Sequence, residues 1–178
     1  DSMLFGCVPS SLWQPVALIG IVSSIDGLLS LPWSLYSQFV LEERFGFNRS
    51  NWKIFLSDLA KGSVIGAIFL VILGAPLVWL MNSLPGLWWI PAYVFYTLFQ
   101  FLIILLWPTV IAPMFNKFSP LDNGELALGI KQLVEGAGFQ SSGVYVMDAS
   151  KRSSHGNAYF TGLGRAKRIV FFDTLLQK

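Results

Sequence analysis

Apolar residues in this chain run in long blocks, and the polar positions between them mark a few break points rather than an alternation. From Gly62 to Asn116 no side chain is charged. A backbone group left unpaired against lipid costs several kcal/mol, so a run this long must be helical, and at about 20 residues per crossing it holds two spans. The break between them is Asn82-Ser83-Leu84-Pro85-Gly86, where proline fixes its own backbone and glycine accepts positive φ. The pattern predicts helices over about Gly62–Met81 and Leu87–Ile111, with Trp79, Trp88, Trp89 and Tyr93 at the turn end as an interfacial belt. A third apolar stretch covers about Leu12–Leu31 and holds one acid, Asp26. An acid near mid-bilayer costs about 2.5–3.5 kcal/mol, whereas each Leu, Ile, Val or Phe returns about 0.3–0.6, so Asp26 is expected at an interface or facing a wet cavity. Pro32 is predicted to kink or end this helix ahead of an amphipathic piece, Trp33–Arg44.

After Lys117 the pattern becomes that of a small packed unit. Leu126, Ile130, Leu133, Val134 and Ala137 recur at helical spacing between a cap, Asp122, and a stop, Gly138. Val144–Met147 reads as a buried strand. Asn157–Thr161 and Arg168–Phe172, joined by the glycine-containing Gly162–Lys167, read as a β-hairpin, and Asp173-Thr174 as the start of another helix. The expected fold is a mainly α-helical membrane protein, with about three transmembrane helices over residues 1–116 and a small cytoplasmic α+β segment over 117–178.

Composition supports the lipid assignment. Charged residues are 12% and hydrophobic residues 54% of the chain, against about 25% and about 45–50% in soluble domains. A net charge of +2, without a basic helical stripe, sets nucleic acid aside as a partner. Arg44, Arg49, Lys53 and Lys61 lie in the linker after the first span and the Asn82–Gly86 turn has no basic residue, which places the linker and the C-terminal third in the cytoplasm. On that side the sequon Asn48-Arg49-Ser50 is not glycosylated and is read as chance. Cys7 is the only cysteine, so there is no internal disulfide, and the opening residues lack the basic n-region of a secretory signal.

Catalytic constellations can be tested by counting. A His-Glu-x-x-His zinc site needs two imidazoles, and the chain has one histidine, His155. An intramembrane aspartyl protease needs two acids, and Asp26 is alone in the spans. A serine protease within the bilayer needs a histidine there, which leaves Ser63 as a packing residue. Ser153, Ser154, His155 and Asp148 are close in sequence, but neighbours in an extended loop point apart and do not make a triad. Lys151, Arg152, Arg165, Lys167 and Arg168 form a basic cluster read as a topology signal. Glu42-Glu43 followed by Arg49 departs from the spacing of the glutamate-type membrane proteases and is read as a solvated helix face.

Three stretches add a resemblance. Leu31-Pro32-Trp33-Ser34-Leu35-Tyr36 leads on to Phe39-Val40-Leu41-Glu42-Glu43-Arg44-Phe45-Gly46-Phe47-Asn48. The second is Pro108-Thr109-Val110-Ile111-Ala112-Pro113-Met114-Phe115-Asn116-Lys117-Phe118. The third runs from Met147-Asp148-Ala149-Ser150-Lys151-Arg152-Ser153-Ser154-His155-Gly156-Asn157-Ala158-Tyr159-Phe160-Thr161-Gly162 to Arg168-Ile169-Val170-Phe171-Phe172-Asp173-Thr174-Leu175-Leu176. In this order and spacing they resemble the type I CAAX prenyl protease family of membrane-embedded zinc endopeptidases, over about Leu31–Lys178. Gly156 and the Gly164-Arg165-Ala166-Lys167 turn resemble the bacterial branch, which implies a bacterial inner membrane.

The resemblance implies that 117–178 begins a cytoplasmic metallopeptidase domain and that the zinc ligands lie downstream of Lys178. The stretch alone is then expected to be inactive. It also implies that Asn157 and Ala158 bind substrate, on a strand edging the cleft where a peptide adds by main-chain hydrogen bonds. The competing reading of Asn157 is a turn residue capping the hairpin. The expected substrate is a peptide or membrane-anchored protein, prenylated or not, and the other partner is the lipid bilayer. The rival from a different class is a non-enzymatic membrane adaptor or scaffold.

Overall fold

The structure is a computed structural model and describes residues 12–121, 124–136, 138, 142–164 and 167–176. The predicted cap Asp122, together with Cys7, Ala137, Arg165 and Ala166, lies outside the described residues. Two compact units emerge: one gathers the first span up to Val40 with Leu56–Phe99, the other Leu41–Phe55 with the chain from Gln100 onward.

In the first unit, helix α1 (Trp13–Tyr36) packs on α3 (Trp52–Ser83) through small residues that let the backbones approach. Val16 is buried against this contact, and a Cβ at Gly20 would come within 3.0 Å of Leu70 Cδ2. Helix α4 (Trp89–Leu106) meets α3 where Phe69 and Phe99 sit edge to face at 5.5 Å. Elsewhere the helices point apolar side chains outward, Leu29 at 75% exposure and Tyr93 at 70%. Three stretches, Trp13–Arg44, Trp52–Ser83 and Trp89–Phe115, are long and apolar enough to cross a membrane.

All three helices are longer than the apolar pattern suggested. Pro32 does not end α1, which continues to Tyr36 and passes through a π turn, Ser37–Leu41, into the short α2, Glu42–Arg44. Proline removes one donor, and in an apolar setting the remaining backbone groups are best satisfied by continuing the helix. Helix α3 starts ten residues before Gly62 because Asn51 caps it, its Oδ1 accepting the Ile54 N–H at 3.0 Å. Lys53, Asp58 and Lys61 ride on its first turns: hydropathy marks the crossing, whereas the cap marks the helix. Beyond α4 a second π turn, Trp107–Ile111, and α5, Ala112–Phe115, extend the third helix past Ile111.

The second unit is built on a four-stranded sheet ordered β1-β2-β4-β3, with β1 Phe118–Pro120, β2 Gly143–Met147, β3 Ala158–Thr161 and β4 Arg168–Phe172. The hairpin β3–β4 is antiparallel as predicted, β2 runs parallel to β4, and β1 pairs antiparallel with β2. Strand β1 escapes a periodicity reading because it has three residues and ends in Pro120, a residue tolerated on an edge strand. Register sets Tyr145, Val170 and Tyr159 side by side and Met147 beside Phe172. These residues, with Phe118 and Ala149, form the core on one face of the sheet, centred on Val170 at 2% exposure. Burial there raises the Tyr159 hydroxyl above its ordinary pKa. Helix α6 (Glu125–Gly136) and α7 (Asp173–Leu176) complete the unit, and Gly138 adopts φ +69 where the sequence marked a stop.

Candidate functional site

The loop between β2 and β3 gathers all three stretches that carry the resemblance. At its start Asp148 holds the end of α5. Its Oδ1 accepts the Lys117 N–H at 2.7 Å, its own N–H donates to the Lys117 carbonyl, and its carboxylate also pairs with the half-exposed Lys151. Arg152 spans the same junction, with Nη1 donating to Asn116 Oδ1 at 2.7 Å and Nη2 to the Phe115 carbonyl at 2.6 Å. A planar guanidinium suits two acceptors set side by side. Asp173 then fastens the loop to the end of β4, accepting the Ser150 N–H at 2.8 Å on Oδ1 and the Ser150 hydroxyl on Oδ2.

From the other side the loop receives the linker after α2. That helix closes with the bonds of a Schellman motif: Gly46, at φ +72, donates to the Glu43 carbonyl and Phe47 to the Glu42 carbonyl. The turn presents Phe47 and Asn48 to residues 152–155. Arg49 N–H donates to the Arg152 carbonyl at 3.0 Å, Ser154 N–H to the Phe47 carbonyl at 2.9 Å, and Asn48 and Ser153 form an antiparallel bridge. The Phe47 ring stacks on His155 at 4.1 Å. Asn48 itself makes an Asx turn to the Ser50 N–H and donates to Glu43. The sequon asparagine is thus a structural residue of this turn.

Asn157 follows directly. It lies at the entrance to β3, away from the Gly162–Lys167 connection, so it does not cap the hairpin. Its carbonyl accepts the Phe172 N–H at 2.9 Å, and its Oδ1 accepts the Ala158 N–H at 2.8 Å. In an antiparallel pair the backbone groups alternate between partner and open side. With Asn157 facing β4, Tyr159 and Thr161 do the same, and Ala158 and Phe160 direct theirs away from it. Strand β3 is an edge of the sheet, and Asn157 and Ala158 are exposed there.

No nucleophile triad forms in this loop. The Ser154 hydroxyl donates to the Gly46 carbonyl, the His155 ring is on Phe47, and Asp148 is engaged with Lys117 and Lys151. Of the described basic residues, Arg168 also makes local contacts beside those of Lys151 and Arg152, donating to the Pro108 carbonyl at 3.2 Å and lying over the Tyr145 ring. Among the described residues no group of three or more His, Cys, Asp or Glu side chains could hold a metal ion. With a single histidine stacked on Phe47, these residues do not fit a zinc site.

Sequence reasoning named Asn157 and Ala158 but missed what holds them. The contact of Phe47 with His155 and the fork of Arg152 join residues 108 and 36 positions apart. Their one signal was that all of them fall inside the three quoted stretches.

Comparison with known proteins follows the same division. A family model described as CAAX prenyl protease N-terminal, five membrane helices, matches residues 2–117, and one for peptidase family M48 matches 120–178. CAAX prenyl protease 1 of Saccharomyces cerevisiae is 41% identical over 174 residues, covering 94% of this chain and 37% of that protein. The human CAAX prenyl protease 1 homolog is 36% identical over 93% of this chain and 35% of its own length. The crystal structure of S. mikatae Ste24p superposes with a TM-score of 0.84 at 39% identity, covering 96% of this chain and 40% of that one. The chain thus spans between about a third and two-fifths of the length of these relatives. These relatives are eukaryotic, so the match supports the family and not the expected bacterial branch. Gly156, one of the residues behind that expectation, has a packing reason instead, since a Cβ there would press on Leu175 Cδ1 at 3.3 Å. With both family models matched in order along an integral membrane chain, this protein belongs to the CAAX prenyl protease family of M48 peptidases.

Proposed function

We propose that this chain supplies the N-terminal membrane region, residues 1–116, and the opening of the peptidase domain, 117–178, of a zinc-dependent endopeptidase. The zinc ligands lie in other parts of the protease, downstream of Lys178, in keeping with relatives more than twice as long. Residues 117–178 and the linker after α2 face the cytoplasm, as the distribution of Lys and Arg favours. The substrate is a peptide or membrane-anchored polypeptide, and the names of the relatives favour a prenylated one.

The observation that carries this reading is the edge position of β3. An extended peptide laid beside β3 adds to that edge by main-chain hydrogen bonds, with the Ala158 carbonyl as acceptor because the Ala158 N–H is already donated to Asn157 Oδ1, and Asn157 at the strand entrance fixes its register. The chain's own task is to bind and orient; bond cleavage needs residues and a metal that it does not bring together.

The test uses the full-length protease and a prenylated peptide carrying a photoreactive side chain near its scissile bond. Chelation should stop cleavage and zinc restore it, and cross-links should map to Asn157–Thr161. Cross-links confined to other segments would contradict the edge assignment, and chelator-resistant cleavage would contradict the zinc assignment.

A further inference from the structure

The segment 153–157 leading into β3 is gripped from two sides. On one, the Phe172 N–H reaches the Asn157 carbonyl and the Thr174 hydroxyl donates to the His155 carbonyl at 2.7 Å. Thr174 is buried, so this grip belongs to the packed unit. On the other side the grip comes from the linker after α2, through the Arg49 and Ser154 backbone bonds, the Ser154 hydroxyl on the Gly46 carbonyl at 3.1 Å, and the stack of Phe47 on His155. The backbone bonds hold any sequence. The ring stack joins side chains of the two segments, and it falls two residues before Asn157.

We infer that Phe47 and His155 are positioning residues for peptide turnover. Their stack fixes the path of residues 153–157 and so holds the Asn157 carboxamide at the β3 edge where the substrate's register is set. This rests on the edge reading of Asn157 proposed above. The inference adds a specificity-determining role for the linker between the first two spans, a segment remote in sequence from the peptidase domain. Phe47 is 39% exposed and His155 is exposed, so both rings can be removed without opening a core cavity.

The test compares Phe47→Ala, His155→Ala and Phe47→Tyr with Asn157→Ala in the full-length protease, reading peptide kinetics, melting temperature and amide exchange of residues 152–161. Removing either ring should lower kcat/KM about five-fold with melting temperature and zinc content retained, and should speed exchange in that segment. Phe47→Tyr, which keeps the stack, should stay within about two-fold of the parent. In the double variant with Asn157→Ala, loss of Phe47 should add less than about two-fold, because both changes disturb one contact. Fully additive losses, unchanged exchange, or a kcat/KM that falls only with melting temperature would overturn the proposal. If Asn157→Ala slows turnover and neither ring variant does, the edge reading stands and the positioning role falls. If Asn157→Ala has no effect, the edge reading itself fails and takes the proposal with it. Should Phe47→Ala not accumulate, His155→Ala carries the same comparison from the other ring.

Discussion

The membrane helices and the sheet unit differ in where their specificity is written. Helices α1, α3 and α4 are held by bonds to residues four apart, and their apolar faces are interchangeable over long runs. The sheet unit depends on single residues that reach far along the chain: Arg152 to Asn116, Asp173 to Ser150, Phe47 to His155. One region can be read from local pattern and tolerates change. The other yields its hairpin and helix to local pattern but not the long-range contacts that join them, and it tolerates less.

The strongest way to break this contrast is to charge the centre of the sheet. Val170→Asp places an unpaired carboxylate at a position 2% exposed, which should cost at least about 3 kcal/mol and unfold the sheet unit. Proteolysis within 117–176 should rise sharply while the helical circular dichroism persists, because lipid keeps the spans folded. Loss of the helical signal together with the sheet would mean that the two regions are not energetically separate.

A smaller effect is expected at Arg152. Arg152→Ala strands the Asn116 carboxamide oxygen and the Phe115 carbonyl, and should cost about 1.5–3 kcal/mol in thermal or denaturant unfolding of the full protease. Arg152→Lys should recover less than half, since a point ammonium cannot serve both acceptors. Full recovery by lysine would make the contact a matter of charge rather than of fork geometry. The smallest effect belongs to the spans: Ser24→Ala removes a hydroxyl bonded to the Gly20 carbonyl one turn back and should change stability by no more than about 0.5 kcal/mol. A loss as large as that at Arg152 would contradict the tolerance assigned to the helices.

The same contrast explains what could be read beforehand. The spans, the hairpin and α6 came from periodicity, but the ends of the helices did not, because Asn51 caps α3 eleven residues before the apolar run begins. Pro32 and Pro108 lie in helical backbone that continues past them, since lipid leaves the chain no better partner. Strand β1 was invisible because its pairing with β2 exists only in three dimensions. At the candidate site, Asn157 was legible through the resemblance alone. Its place at the start of an edge strand, rather than at the hairpin turn, required the β3–β4 register. The absence of a triad was legible in the sequence, and the structure agrees, with Ser154 and Asp148 engaged by Gly46 and Lys117, residues distant in sequence.

The most direct test of the account is Asn157→Ala in the full-length protease, with kcat/KM for a peptide substrate, bound zinc and melting temperature measured on one preparation. If Asn157 sets the register of a peptide beside β3, kcat/KM should fall at least about ten-fold, equivalent to about 1.4 kcal/mol, while zinc content and melting temperature stay near those of the parent. Unchanged kinetics with a lowered melting temperature would show that Asn157 only stabilises the entrance to β3, and the substrate-edge assignment would be wrong.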